Sequence, residues 1–255
     1  MVVFEGDKDF IMMTQHDHAD ASAQFAKGLP VEWFETEQHR KDFLFAVQEH
    51  DRGWIDLDHT PFWNDEQMAP YSFMDFPMRP KLAFYEKGVN EVEAQNPFAA
   101  LLCSLHYESF FDLDEEDEAI QNYLALEQGR QERIRGKLEE QGVELGRIPY
   151  YFKLIQLCDN ASLYICLNEP GVTKNDEFPW YRQGFKQKLE TLNHEVIVPE
   201  WLSVDTVRLA PFPLAKKIEV QVPYKRVEKH EIGRSGLVKA YEKAEVEVRK
   251  VCFTA

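Results

Sequence analysis

Five side chains in this sequence have the chemistry of metal ligands and stand in otherwise apolar surroundings: His18, His50, Asp51, His106 and Asp159. The most telling stretch is Phe43 to Trp54, FLFAVQEHDRGW. Phe43, Val47, His50 and Trp54 recur at the spacing of one helix face, which stays apolar until its last turn presents His50 with Asp51 beside it. Gly53 follows, a residue suited to the left-handed turn that stops a helix. Burying an unpartnered polar group costs roughly 2–7 kcal/mol, and a charge costs more, so such a helix end needs a partner. His18 shares a face with Ser22, Phe25 and Leu29, and His106 lies between Leu102 and Phe110. Asp159 interrupts the stripe Phe152, Ile155, Ser162 and Cys166. Singly, each has an ordinary reading: a hydrogen-bonded core histidine, an aspartate joining two helices, a His-Asp pair met by chance. Jointly, four predicted helices each turn an ionisable group inward, and the sequence offers no matching set of buried cations. Imidazole with carboxylate suits a divalent transition metal, Mn, Fe, Co, Ni or Zn, without choosing among them.

The elements that must position these groups can be read along the chain. Val2 to Phe4 and Phe10 to Met13 are short apolar runs that predict a hairpin. Thr14 and Asp17 form a helix start for the segment carrying His18, which stops at Gly28-Leu29-Pro30. A second helix runs from about Thr36 to Gly53. Residues 55–81, rich in proline and aromatics, read as an irregular wall or lid. Helices are expected over Lys81 to Val89, from Asn96-Pro97 through His106, over the charged stretch 114–141 and over 150–167, with a short one between Glu177 and Asn193. The last sixty residues alternate instead, at Ile218 to Val222 and Glu245 to Val248, with further candidates at Val196 to Val198 and Val204 to Leu209 and a helix near Ser235 to Lys243.

The net charge of −16 argues against a nucleic-acid duplex or an anionic membrane as partner. No apolar run approaches a membrane span and no leader-like segment opens the sequence, which predicts a cytoplasmic protein. Cys103, Cys158, Cys166 and Cys252 show no framework spacing, and Cys158 and Cys166 read as reduced core residues.

The order His, His-Asp, Asp on successive helices resembles the HD superfamily of metal-dependent phosphohydrolases. HADASAQFA, FAVQEHDRGW and LIQLCDNASL carry the likeness, over roughly residues 14–168. Closer still, the HDxGW spacing, the proline-aromatic loop, SLHYE and the C-terminal strands resemble a bacterial family of HD-like proteins of unknown function. The resemblance implies a mainly α fold: an HD-like helical domain over 1–190, with a small antiparallel β-rich extension over 191–255 packed on it as one unit. It implies His18, His50, Asp51 and Asp159 as ligands to one or two ions, with Asp51 bridging a pair. His106 is left as a second-metal ligand, a substrate or proton-transfer residue, or core; His16, two residues before His18, points elsewhere. His39, His59, His194 and His230 have no supporting pattern, though His59 and Asp58 could border the site.

The implied reaction is hydrolysis of a small phosphate ester or nucleotide by a metal-activated water. Arg52, Arg79 and Lys81 are candidates to grip phosphate, each with surface charge as its plainer reading, and Asp17 or Glu49 could orient the histidines. Two alternatives stand beside it: an HD-like di-iron oxygenase, and a non-catalytic metal- or ligand-binding protein, either of which admits a homo-oligomer.

Overall fold

The computed structural model describes residues 1–112 and 116–255. The chain opens with β1 (Val2–Glu5) and β2 (Asp9–Met13), a hairpin in register Val2 to Met13, and passes directly into α1 (Gln15–Ala26). Then come α2 (Glu37–Glu49), α3 (Ile55–Asp58) and a two-residue ribbon, β3 (Trp63–Asn64) with β4 (Ala69–Pro70). Four long helices follow: α4 (Met78–Glu93), α5 (Pro97–Glu108), α6 (Glu118–Glu140) and α7 (Ile148–Leu167). The C-terminal part contains β5 (Val198–Ser203), β6 (Thr206–Ala210), β7 (Ile218–Glu228), α8 (Lys229–Ser235), α9 (Leu237–Lys243) and β8 (Val246–Thr254).

The expected mainly α fold with a small C-terminal antiparallel sheet is overturned. Half of the chain is helical, and six strands form one large, curled, mixed sheet in the order β1-β2-β7-β8-β6-β5. β6 and β8 run parallel, and the N-terminal hairpin joins the same sheet through Asp9 to Met12 against Glu228 to Lys225. The reason lies in β7. Its alternation looks finished at Val222, but the strand continues through Pro223 to Glu228, so one half pairs with β2 while Ile218 to Lys225 pair with β8. β2 is buried on both faces: Ile11 and Met13 enter the main core, whereas Phe10 and Met12 pack with Val227, Leu237 and Ala240 beneath α9. Burial on both faces is why Phe10 to Met13, FIMM, reads as an unbroken apolar run.

Local signals are obeyed more closely. Thr14 caps α1, accepting from the Asp17 amide at 3.0 Å, and Asn96 caps α5 with Pro97 in its first turn. Small residues on α1, Ala19, Ala23 and Ala26 among them, are fully buried where it meets α2, α7 and β7. Phe25 reaches across to Phe253 of the sheet with ring centroids 5.1 Å apart. Full burial of a side chain of this size stabilises by about 1.5–3 kcal/mol. The short helix expected between Glu177 and Asn193 is instead two 3-10 turns, Pro179–Tyr181 and Glu190–Leu192. α4 begins earlier and runs later than its pattern indicated, and the expected start of the charged helix at 114 lies outside the described residues. Among the described residues no helix is long and apolar enough to cross a membrane. All four cysteines are free, and Cys158 and Cys166 are buried.

Candidate metal centre

The sheet positions α1, because α1 begins two residues after β2 ends. That places His18 in the second turn of α1, wholly buried against α7. His50 caps the C-terminus of α2, and Asp51 leaves the helix in the sparsely populated bridge region, φ −107° and ψ 21°. This break turns both side chains toward the same point. His106 comes from α5 and Asp159 from the middle of α7, and both are buried.

The groups converge. His18 Nε2 lies 2.9 Å from Asp159 Oδ1 and 3.7 Å from Asp51 Oδ2. His50 Nε2 is 3.6 Å from an oxygen of each aspartate, and His106 Nε2 is 3.8 Å from Asp159 Oδ2. Two overlapping donor groups result, His18 with His50 and Asp51, and His50 with His106 and Asp159. The ligand atoms of each group lie within 4.8 Å of one another. Three imidazoles and two carboxylates at these distances could hold a metal ion.

The hydrogen bonds behind the cluster favour ligation. His50 Nδ1–H donates to the Val47 carbonyl at 2.6 Å, which leaves Nε2 as a lone pair facing two carboxylates without a hydrogen-bond partner. His18 Nδ1 is bonded to Ser162 Oγ, and that hydroxyl is 2.8 Å from Ser22 Oγ. His18 Nε2 is within hydrogen-bond distance of Asp159 Oδ1, at 2.9 Å, and with its proton moved to Nδ1 on the serine side it would turn a lone pair to an ion instead. Lone pairs and anions packed together require a positive charge among them. Burial opposes charge on His50, yet Asp51 and then Asp159 outweigh it and raise its pKa to about 9. Burial pushes Asp51 above its ordinary value, with His50 and His18 opposing. Burial also pushes at Asp159, but the imidazoles of His18 and His50 crowded against it hold it well below the usual carboxylate range. Burial lowers His106 to about 3 despite the nearby Asp159.

Above the cluster lies a cavity of about 520 Å³, with His18, Asp51, His106 and Asp159 among its lining residues. Trp54, Phe73, Tyr85, Phe110 and Trp180 supply aromatic wall, and Lys81 and Lys186 supply cations. Of the three cations expected to grip phosphate, only Lys81 lines this space. It is buried, and its ammonium donates to the Phe73 carbonyl at 2.8 Å. Arg52 is a correction: the turn that follows Asp51 carries it away from the cavity, where Glu91 and Glu49 hold its guanidinium at 2.8 and 3.0 Å. Arg79 is exposed and outside the cavity lining.

Neither proposed orienting carboxylate reaches a histidine of the cluster. Asp17 accepts from the Thr14 hydroxyl, and Glu49 is taken by Arg52. The serines Ser22 and Ser162 stand in their place; they sit four residues after His18 and three after Asp159, so helical spacing was enough to find them. Gln15 and Lys186, which also line the cavity, carried no comparable signal. His59 is exposed, and Asp58 is buried but occupied by the Met1 amine and the Gln15 amide.

Gly53 has a different role from the one its position suggested. It lies inside the 3-10 turn Arg52–Trp54 and has no positive φ. What it permits is contact with α4: a Cβ on Gly53 would lie 2.5 Å from the Phe84 carbonyl oxygen, and one on Gly88 would strike the Gly53 amide. Two glycines thus let the backbone after Asp51 rest directly on the helix that carries Lys81 and Tyr85.

A family model described as protein of unknown function (DUF3891) matches residues 1–229. The chain belongs to this family. The DUF3891 match contains all five donors, the cavity residues and β1 to β7, and it stops before α9 and β8. Comparison with the curated proteins finds no match, and neither does comparison with the solved structures.

Proposed function

We propose that this DUF3891 chain is an HD-like, metal-dependent phosphohydrolase acting on a small phosphate ester. The observation that carries this reading is the meeting of five ligand-type side chains, from α1, the end of α2, α5 and α7, beside a ligand-sized cavity that also holds Lys81. Their order along the chain, His18, His50-Asp51 and Asp159, supports the HD likeness.

His18, His50, Asp51 and Asp159 would hold one or two divalent ions, and His106 completes the second donor group. A bound ion of this kind lowers the pKa of water toward neutrality and offsets charge on a phosphoryl oxygen. The remaining work falls to the chain's own residues. Ser162 and the Val47 carbonyl fix the imidazole orientations. Lys81 offers an ammonium to a phosphate oxygen, and the aromatic wall keeps bulk water from the reacting group. Hydrolysis joins a water oxygen to phosphorus and breaks the ester P–O bond, whose electron pair and a proton go to the departing alcohol.

The test is the metal content of purified protein by plasma mass spectrometry, beside Asp51→Ala. A near-stoichiometric transition metal lost in the variant, with turnover of a phosphate ester, is the expected result. No metal in either protein after reloading with several divalent ions overturns the reading. A second reading draws on His50 being shared by both donor groups, which suits a two-ion centre. Two irons per chain would favour oxygen-dependent chemistry. A retained metal with no turnover of any phosphate ester would favour a binding protein. His106→Gln separates its two roles: lost metal marks a ligand, and retained metal with lost turnover marks a proton carrier.

A further inference from the structure

The cavity is built for more than a phosphate. Its volume of about 520 Å³ falls within the range of small-molecule pockets, roughly 300–1,000 Å³. Most of its wall beyond the donor cluster is apolar. Trp54, Tyr85 and Leu163 are buried, whereas Met74, Phe110 and Trp180 are between 42 % and 49 % exposed. Three large apolar side chains left in solvent around one opening, from segments distant in sequence, mark a binding surface rather than a scatter of surface hydrophobes.

Beyond the donors, the polar lining is Gln15, Lys81, Ser109, Gln156, Asn160 and Lys186. Lys81 and Lys186 are the cations lining the cavity, and no arginine joins them among the described residues. Gln15 is 3 % exposed, lines the cavity, and has its Oε1 without a hydrogen-bond partner. Folding has left an acceptor there for a donor that comes from outside the chain. Charge bookkeeping narrows the anion. For a single-ion centre, Asp51 and Asp159 balance the divalent ion, and two lysines then match a dianion. A triphosphate, with its greater charge, would be left undercompensated.

Resting on the phosphohydrolase reading, we infer that the cavity takes a phosphomonoester of an apolar, ring-sized alcohol, with its phosphate at the donor cluster and Lys81 and its body against the aromatic wall. Trp180 and Phe110 act as specificity residues for that body. Gln15 accepts a hydrogen from a water held with the ligand. The reaction consumes one water and releases the alcohol and inorganic phosphate, with no change of oxidation state.

Binding and turnover test this separately. The metal-loaded protein is titrated calorimetrically with 1-naphthylphosphonate, which has no ester bond to cleave, and with inorganic phosphate, adenosine monophosphate and adenosine triphosphate. The phosphonate is expected to bind at least about tenfold more tightly than each of the other three. Trp180→Ser, at an exposed position, removes most of that preference and leaves phosphate binding unchanged. Lys81→Met weakens phosphonate and phosphate alike by about tenfold, with metal content retained. A phosphonate that binds no better than phosphate, or a nucleotide that binds better than the phosphonate, overturns the inference. Tight, Trp180-dependent phosphonate binding without hydrolysis of 1-naphthyl phosphate supports the ligand class and sinks the hydrolase reading. Hydrolysis of nucleotides with weak phosphonate binding does the reverse.

Discussion

Two clusters of buried charge share the helical half of this protein, and they are resolved in opposite ways. Between α4 and α6, Arg130 Nε donates to both oxygens of the fully buried Glu127 at 3.1 and 3.0 Å, and its other arm reaches Glu93 at 3.0 Å. Gln131 beside it bridges Ser104 and Glu108 of α5. Each buried carboxylate there has a guanidinium from the chain itself. In the other cluster, three imidazoles and two carboxylates meet and, among the described residues, no lysine or arginine pairs with them and His50 Nε2 and His106 Nδ1 have no hydrogen-bond partner. Buried charge is common to both. What distinguishes the candidate centre is that imidazoles alone, and no guanidinium, face its carboxylates, an arrangement that an ion from outside the chain can complete.

The largest effect should come from breaking the open cluster. Asp159→Ala is expected to reduce bound metal to background. Metal at about a hundred times its dissociation constant should stabilise the wild type by about 2.7 kcal/mol, and the variant by nothing measurable. Thermal unfolding with and without chelator checks both. An equal metal response in the variant would remove Asp159 from the site.

The closed cluster should respond in the complementary way. Glu127→Leu strands Arg130 with only Glu93 and is expected to cost about 3 kcal/mol in urea unfolding, while metal stoichiometry stays as in the wild type. Replacing Arg130 by leucine as well should recover most of the loss. Loss of metal in the single variant would erase the distinction between the clusters.

Ser162→Ala probes the layer behind the ligands. Metal affinity is expected to fall by about 10–100-fold, with stability changed by no more than about 1 kcal/mol. Competition with a chelating dye reads the first and denaturant unfolding the second.

The smallest effect concerns the loop that brings Phe73 to the cavity. Burial pushes the Asp75 carboxyl up, but hydrogen bonds from the Ser72 hydroxyl, the Asn64 amide and the Ser72 N–H outweigh it and hold the group below its ordinary value. Its contribution to stability is therefore complete above the unfolded carboxylate value, about 3.9, and fades as pH falls through the lower folded value. The stability gap between wild type and Asp75→Asn should be flat near neutrality and narrow in acid. A gap that persists unchanged into strong acid would refute the assignment.

These contrasts follow what the sequence could and could not disclose. The inward positions of His18, His50, His106 and Asp159 were visible because helical spacing writes such a group into an apolar stripe, with Asp51 found beside His50 and the role of His106 left open, and the caps at Thr14 and Asn96 were legible for the same local reason. The sheet was not. Its key pairing joins Asp9 to Glu228, and the second half of β7, with Pro223, Tyr224, Lys225 and Arg226, shows no clean alternation because those positions are only partly buried or exposed. Arg52 misled for another reason: adjacency in sequence to Asp51 does not survive a tight turn, which sends consecutive side chains in different directions. Gly53 looked like a helix stop because its true contact, Gly88, is thirty-five positions away.

The pairing of β2 with β7 also carries a consequence for how the protein is made. His18 lies five residues beyond the end of β2, and β2 finds its neighbour only when Lys225 to Glu228 exist. During synthesis the first histidine of the cluster has no completed sheet to fix it until residues 225–228 have left the ribosome. Contacts of such long sequence separation are slow to close. Metal uptake would then follow the emergence of β7 and not precede it.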